Sequence, residues 1–414
     1  MLKTLRIRNY KSIVDSAISL GRVNVFIGAN GAGKSNVLEA ISLVGAARAD
    51  RLDNEFLSSR GLRVSRPEHM RSAFNDEGQN KPILISAKYQ NEGTVTCEFN
   101  HNNEPYGRWE CYYHGRAPKE ISFTELLQNY SKIQASATLK KKNSEELLLS
   151  IFKKMKDAPF EKIDGGFRVK ISVEADKENP LIQSLLRSWL RLLPSHEALA
   201  NFVVYSPENS SLQLYQSEGQ IEPLGRHGEG LLKLLEVMQR DFADDITEIK
   251  NDMRMLEWFD DFDLIQSNSS TTIALKDTFF SINTKYLELS SANEGFLYLL
   301  FYFSLVYSRL TPSIFAIDNV ETSLNPRLCQ ALMTAMSKAA KRRRKQLFIT
   351  THSPAVLDGL DISDTANRLF VVSRGPFGET RINQVSAPAL TDSGRPRKLS
   401  SYYLDGLLGG LAPI

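Results

Sequence analysis

Gly28-Ala29-Asn30-Gly31-Ala32-Gly33-Lys34-Ser35 fits the pattern GxxxxGK[ST] in full. Arg22–Ile27, just before it, is a short β-branched and aromatic run that stops at a glycine, which reads as a strand. Lys34–Ala47, just after it, has apolar residues at Val37, Leu38, Ile41 and Val44, a helical spacing. A glycine-rich turn between strand and helix lets the backbone curl so that several N–H groups face one anion. The helix N-terminus adds a favourable dipole. Asn30, Gly31, Ala32 and Gly33 are then the cradle, Lys34 reaches the β- and γ-phosphates, and the Ser35 hydroxyl holds Mg²⁺. The ligand this predicts is ATP with Mg²⁺. The plainer alternative is a turn that only caps the helix; pattern and context together argue against it.

Leu2–Ile7 alternates apolar and polar residues as a half-buried strand does, and Ser16–Leu20 reads as a second strand. Antiparallel strands are expected at Ile83–Tyr89, Thr94–Phe99 and Trp109–Tyr113, with helices near 123–132, 144–156, 180–193 and 228–256. From about residue 272 strands and helices alternate again. Strands are expected at Thr272–Leu275, Tyr286–Leu289, Ser313–Ile317, Leu347–Thr350 and Arg368–Ser373, with an apolar helix over Glu294–Leu310. That alternation favours an α/β layer.

Ile314-Phe315-Ala316-Ile317-Asp318 is an apolar strand ending in an acid, the way a Walker B strand presents an aspartate to Mg²⁺. Many buried strands end so, but two further segments follow it: Thr322-Ser323-Leu324-Asn325-Pro326 and Ile349-Thr350-Thr351-His352-Ser353-Pro354.

In this order the motifs resemble the ABC-type ATPase heads of the RecF, SMC and OLD group, and in particular its stand-alone AAA members of bacterial anti-phage systems. Asn9-Tyr10-Lys11-Ser12 resembles the group's Asn-Phe-[Lys/Arg]-Ser segment, and Asn36-Val37-Leu38-Glu39-Ala40-Ile41 its helix after the P-loop. Leu289-Ser290-Ser291-Ala292-Asn293-Glu294-Gly295 resembles the signature that meets the opposite protomer's γ-phosphate, without a Ser-Gly-Gly run. The resemblance implies nucleotide contacts for Lys11, Asn36, Ser291 and Gly295, a D-loop at Ser323–Pro326, and a switch histidine at His352, with Ser35 and Asp318 at the metal. It implies an α/β ABC-type P-loop fold with an N-terminal antiparallel β lobe. The ATPase domain is split over 1–47 and 270–385. A mixed β and helical insertion fills 48–269 between Walker A and signature, and 386–414 is a tail.

One position departs from the group. A glutamate usually follows the Walker B aspartate and orients the attacking water, but here the residue is Asn319. An amide can position water but takes no proton at neutral pH. Glu321, two residues on, either turns inward as a substitute or stays a D-loop acid. Asp318, Asn319, Glu321 and His352 are thus the candidate catalytic set, and hydrolysis is expected to be slow.

Composition limits the partners. Hydrophobic residues make up 42% and charged residues 24%, a soluble globular balance, and no apolar run reaches the roughly 18 residues of a membrane span. A cytoplasmic setting is expected, since the N-terminus lacks a signal core. Cys97, Cys111 and Cys329 form no CxxC pair. Net charge is only +3, so nucleic-acid binding would need a local patch. Lys341-Arg342-Arg343-Arg344-Lys345 is such a run; it reads as a solvated helix end or as a phosphate-backbone contact. His196 and His227 show no ligand spacing. Arg60 and Arg63 face either nucleotide or a partner.

Only about 220 residues separate the two halves of the head, without heptads, which excludes a long-armed DNA tether. About 60 follow His352, too few for a Toprim nuclease. The resemblance therefore points to a homodimer or higher even oligomer that senses infection and controls a separate effector, a nuclease or toxin. A RecF-like DNA-binding ATPase in repair and a non-hydrolysing nucleotide-gated structural protein are the alternatives, and DNA stays open as a partner.

Overall fold

The computed structural model describes residues 1–74, 78–90, 93–115, 160–163, 166–171, 196–213, 223–267, 270–280, 286–386 and 398–409. The strands in chain order are β1 (Leu2–Tyr10), β2 (Ile13–Ser19), β3 (Val23–Ile27), β4 (Ile83–Tyr89), β5 (Thr94–Asn100), β6 (Glu110–Gly115), β7 (Phe160–Ile163), β8 (Gly166–Ile171), β9 (Val204–Tyr205), β10 (Phe259–Ser267), β11 (Ser270–Asp277), β12 (Leu287–Glu288), β13 (Ile314–Ile317), β14 (Gln346–Thr351), β15 (Asn367–Arg374) and β16 (Thr380–Gln384).

Five parallel strands and one antiparallel edge form the central sheet, in the order β16-β15-β3-β14-β13-β9. Its strands are apolar without alternation because both faces are covered. Val23, Val25 and Ile27 of β3 pack into the core with the helices Leu231–Asp241, Ala243–Met253, Glu294–Tyr307 and Pro326–Arg343. Phe26 of the same strand points the other way, into the core around the helix Lys34–Arg48. Phe348 and Phe370 on β14 and β15 follow it, and the Phe26 and Phe370 rings stack at 4.9 Å. Such a ring pair adds about 1 kcal/mol beyond its burial.

The second sheet is antiparallel, β2-β1-β4-β5-β6-β8-β7. Its β1, β4, β5 and β6 bury alternate residues, such as Leu5 and Ile7, Ile83 and Ile85, Cys97 and Phe99, against the Lys34–Arg48 helix. That helix lies between the two sheets, which is why nearly every residue of it is buried.

Several sequence expectations extend or divide here. β1 and β2 are longer than expected and meet in a tight hairpin, Tyr10 opposite Ile13, so Lys11 and Ser12 are its turn. The helix expected over 228–256 is two, broken at Phe242, whose extended φ of −142° interrupts the ladder. β10, with Asp260, Asp261 and Asp263 among its apolar residues, was not expected as a strand; it pairs with β11 along its length. β9 comes from within 48–269 and adds a parallel edge to the central sheet beside β13. The helices expected at 123–132, 144–156 and 180–193 lie outside the described residues.

The helix Glu294–Tyr307 is apolar all round and buried all round from Phe296 on. Asn293 caps its start by accepting the Phe296 N–H at 2.8 Å, worth about 1 kcal/mol. Among the described residues no helix is long and apolar enough to cross a membrane.

Candidate functional site

β3, β13 and β14 run parallel and adjacent, so their C-terminal ends share one edge of the sheet. The Gly28–Ser35 loop follows β3, Asp318 follows β13, and His352 follows β14. Open α/β sheets bind ligands outside these carboxyl ends. The topology thus brings the loop together with two motifs that lie hundreds of residues further along the chain.

The loop needs its glycines. Gly31 has φ +73° and Gly33 φ +107°, a region that L side chains rarely enter. Gly28 has a different constraint: a Cβ there would come 2.0 Å from the Val372 carbonyl oxygen of β15. Lys34 is buried, and its Nζ donates to the Gly28 and Ala29 carbonyls at 2.8 and 3.0 Å. It also lies 3.3 Å from His352 Nδ1. Burial pushes the Lys34 ammonium down to about 8, against the opposing pull of Asp318 and Glu321. Burial and the Lys34 charge push His352 below the usual imidazole range, so the ring is neutral and Nδ1 accepts from the ammonium.

Ser35 Oγ lies 3.2 Å from both carboxylate oxygens of Asp318. Thr350, fully buried on β14, donates its hydroxyl to Asp318 Oδ1 and accepts the Asn319 N–H at 2.9 Å. This fixes the carboxylate toward Ser35, leaving oxygen donors of both residues side by side, a set that suits Mg²⁺. Asn319 sits at φ +56°, a left-handed conformation that asparagine tolerates better than most residues. The turn it makes brings Glu321 back to the edge: Glu321 Oε1 accepts the His352 N–H at 2.7 Å. Glu321 Oε2 is buried and without a hydrogen-bond partner.

Lys34, Ser35, Asp318, Asn319, Glu321 and His352 are therefore one cluster. Asn30 and Gly31 are exposed on the loop, with Ala32 buried behind them. Lys11 and Asn36 are engaged elsewhere. Lys11 Nζ pairs with the buried Glu39 carboxylate and donates to the Arg63 carbonyl at 2.9 Å. Arg63 also reaches Glu39, at 2.6 Å, and Asn36 Nδ2 donates to Ser12 Oγ at 2.7 Å. Ser291 and Gly295 stand on two other elements, the 3-10 turn Leu289–Ser291 and the helix Glu294–Tyr307. Ser291 is exposed, and Gly295 lies against the Ser323 carbonyl. Glu294 between them accepts from Ser323 Oγ at 2.7 Å and from Asn209 Nδ2 at 3.1 Å, tying the signature-like segment to the D-loop-like one. A cavity of about 760 Å³ opens there, lined by Trp258, Glu294, Ser323 and Arg327 among others.

Sequence reading missed Thr350, although it lies within a quoted segment, because a threonine in a strand carries no signal of its own. It also missed Glu39 as the buried acid that gathers Lys11 and Arg63.

The chain matches a protein-family model described as "AAA domain, putative AbiEii toxin, Type IV TA system" over residues 23–358. The chain belongs to this AAA family. Comparison with curated proteins found no relative. Among solved structures, this family member is similar to an Smc head bound to the C-winged helix domain of ScpA: 13% identity, TM-score 0.52, 93% of this chain and 97% of that one covered. It is also similar to the SMC head domain from Thermotoga maritima (14% identity, TM-score 0.45, 93% and 99% covered). A third similar structure is the Smc head with an extended coiled coil, bound to the C-terminal domain of ScpA, from Pyrococcus furiosus (15%, TM-score 0.47, 93% and 96%). The AAA family member thus has the ABC-type P-loop ATPase fold of SMC heads, with its antiparallel lobe built from β1, β2 and β4–β8.

Proposed function

We propose that this chain is a nucleotide-gated switch that binds Mg-ATP at Gly28–Ser35, hydrolyses it slowly, and controls a separate effector in anti-phage defence. The observation that carries the reading is the convergence of Lys34, Ser35, Asp318 and His352 at the carboxyl edge of three parallel strands.

The loop glycines and the buried lysine fit a triphosphate. Lys34 exchanges its two carbonyl partners for phosphate oxygens, and Ser35 with Asp318 holds the metal. Mg²⁺, held by Ser35 and Asp318, would supply positive charge that offsets the negative charge of the phosphates. Asn319 orients water but takes no proton. Among the described residues Glu321 is an acid at this edge with one oxygen lacking a hydrogen-bond partner, and it takes the proton; its place three residues beyond Asp318 makes turnover slow. His352, neutral, accepts from Lys34 and keeps the ammonium aimed into the loop.

Gly295 sits beside Ser323 and Ser291 is exposed, away from the bonds of the Lys34 cluster, which supports completion of the site by a second copy, hence a homodimer or higher even oligomer. The proposed partition is an ATPase unit of 1–47 and 270–385 with an insertion over 48–269. Two findings support a separate protein partner: the toxin system in the family description, and the ScpA domain on the similar Smc head.

The basic run bears on the DNA-repair alternative. Arg343 pairs with buried Asp245 at 2.7 Å, Arg342 with Glu248 at 2.9 Å, and Lys341 with Asp364 at 3.2 Å. Lys345 is buried against the Leu305 and Thr311 carbonyls, and burial pushes it down to about 7. Arg343 and Lys345 thus serve the fold, and Arg342 and Lys341 are held in surface ion pairs, which favours the switch over the DNA reading.

Phosphate release at saturating Mg-ATP, with and without duplex DNA, tests the choice. Slow, Lys34-dependent release indifferent to DNA supports the switch. Strong stimulation by DNA would overturn it in favour of repair, and binding without release would leave a clamp only.

A further inference from the structure

The phosphate loop is gripped from behind by the β15–β16 hairpin, far from it in sequence. Thr380 begins β16 and is buried; its Oγ1 donates to the Ala32 carbonyl at 2.8 Å and lies 2.6 Å from Ser12 Oγ. Ser12 Oγ in turn accepts from Asn36 Nδ2 at 2.7 Å, and the Thr380 N–H donates to the Ser12 carbonyl at 2.7 Å. The chain of bonds runs from Asn36, on the first turn of the helix, through the β1–β2 turn and β16, back to Ala32 in the loop. All three side chains are buried. Nearby, Arg374 at the end of β15 donates Nε to the Gly31 carbonyl at 2.8 Å and a guanidinium nitrogen to the Gly378 carbonyl.

In a trans peptide the C=O and the following N–H point in opposite directions. Fixing the Ala32 carbonyl outward on Thr380 therefore fixes the Gly33 N–H inward, toward the space a phosphate would occupy. Gly33 shows how close the grip is: a Cβ there would lie 2.1 Å from Thr380 Oγ1 and 2.9 Å from Ser12 Oγ. So that position is restricted twice, by its φ of +107° and by Thr380.

We propose that Thr380, acting through Ser12 and the Ala32 carbonyl, is a positioning residue that preorganises the loop for nucleoside triphosphate. This rests on the nucleotide reading of Gly28–Ser35 given above. Without the hydroxyl the loop must be ordered at the moment of binding, and that cost appears as lost affinity. The lost threonine hydrogen bond corresponds to an affinity weaker by about tenfold.

The test measures the affinity of the full chain for a fluorescent ATP analogue with Mg²⁺, beside the thermal midpoint of the nucleotide-free protein. Thr380→Val is expected to bind about tenfold more weakly, and Thr380→Ser to return within about twofold of the parent. Ser12→Ala cuts the same chain from its other side and serves if the valine variant does not fold. In the double variant the losses are expected not to add, because both remove one network. Parental affinity in Thr380→Val or Ser12→Ala, while Lys34→Ala loses binding, would overturn the inference and leave the nucleotide reading standing. A parent chain that binds no ATP would overturn that reading and this inference together.

Discussion

The His352 backbone N–H donates to Glu321 Oε1 at 2.7 Å, so the acid three residues beyond Asp318 is tied to the end of β14. The second oxygen of Glu321 is buried without a hydrogen-bond partner, and the carboxylate lies close enough to Lys34 to favour its charge. Glu321→Gln keeps an acceptor for the His352 N–H and removes the proton acceptor. ATP affinity is expected to stay within a few-fold, while single-turnover phosphate release falls by about 100-fold or more. Unchanged release would return Glu321 to the role of a D-loop acid.

Thr350 serves Asp318 and Asn319 at once. Thr350→Val keeps the shape but leaves the Asn319 N–H unpaired and lets the Asp318 carboxylate turn. A loss of about 1–3 kcal/mol in urea unfolding is expected, with weaker Mg²⁺ dependence of nucleotide binding. Full stability in the variant would mean that water replaces the hydroxyl at no cost.

Lys34 gives the site a pH dependence. Its free-state value of about 8 lies below the ordinary lysine range, and a bound triphosphate stabilises the charged form and raises it. Affinity is therefore level below about pH 8 and falls by up to about tenfold per unit above it, until the bound-state value is reached. Calorimetric titrations from pH 7 to 10 check this, with Lys34→Arg as a variant whose charge does not titrate in that range. A flat profile in the parent would mean that Lys34 is already fully neutral or fully charged throughout.

Asp245 is wholly buried between Arg343 at 2.7 Å and Arg309 at 3.3 Å. Removing one side of a buried pair leaves charge uncompensated, so Asp245→Ala is expected to cost about 3–5 kcal/mol. Arg343→Ala is expected to cost less, because Arg309 still pairs with Asp245, and to leave DNA binding untouched. Equal stability of Arg343→Ala and the parent would free the basic run for a surface role.

How much of this is legible in the sequence follows from how far each signal reaches along the chain. Gly28–Ser35 declares itself because its chemistry is local: turn, cradle and helix start are contiguous. The central strands are legible because burial on both faces leaves continuous apolar runs, as in Ile314–Ile317. β10 escapes because its aspartates break the apolar pattern, and β9 because two residues carry no periodicity. The inward turn of Glu321 depends on the left-handed Asn319, a conformation that composition does not announce. Thr380 is the least legible, since its partner Ala32 is 348 residues away and only the sheet order brings them together. The basic run shows the reverse case: conspicuous in sequence, yet mostly consumed by ion pairs within the fold.

Calorimetric titration of ATP into the parent chain, Lys34→Ala and Asp318→Asn, each with Mg²⁺ and with a chelator, decides whether Gly28–Ser35 and Asp318 form a Mg-ATP site. A single nucleotide site is expected, whose affinity needs Lys34 and whose gain from Mg²⁺ needs Asp318. Equal ATP binding by the parent and Lys34→Ala, or a Mg²⁺ gain that survives in Asp318→Asn, would contradict it.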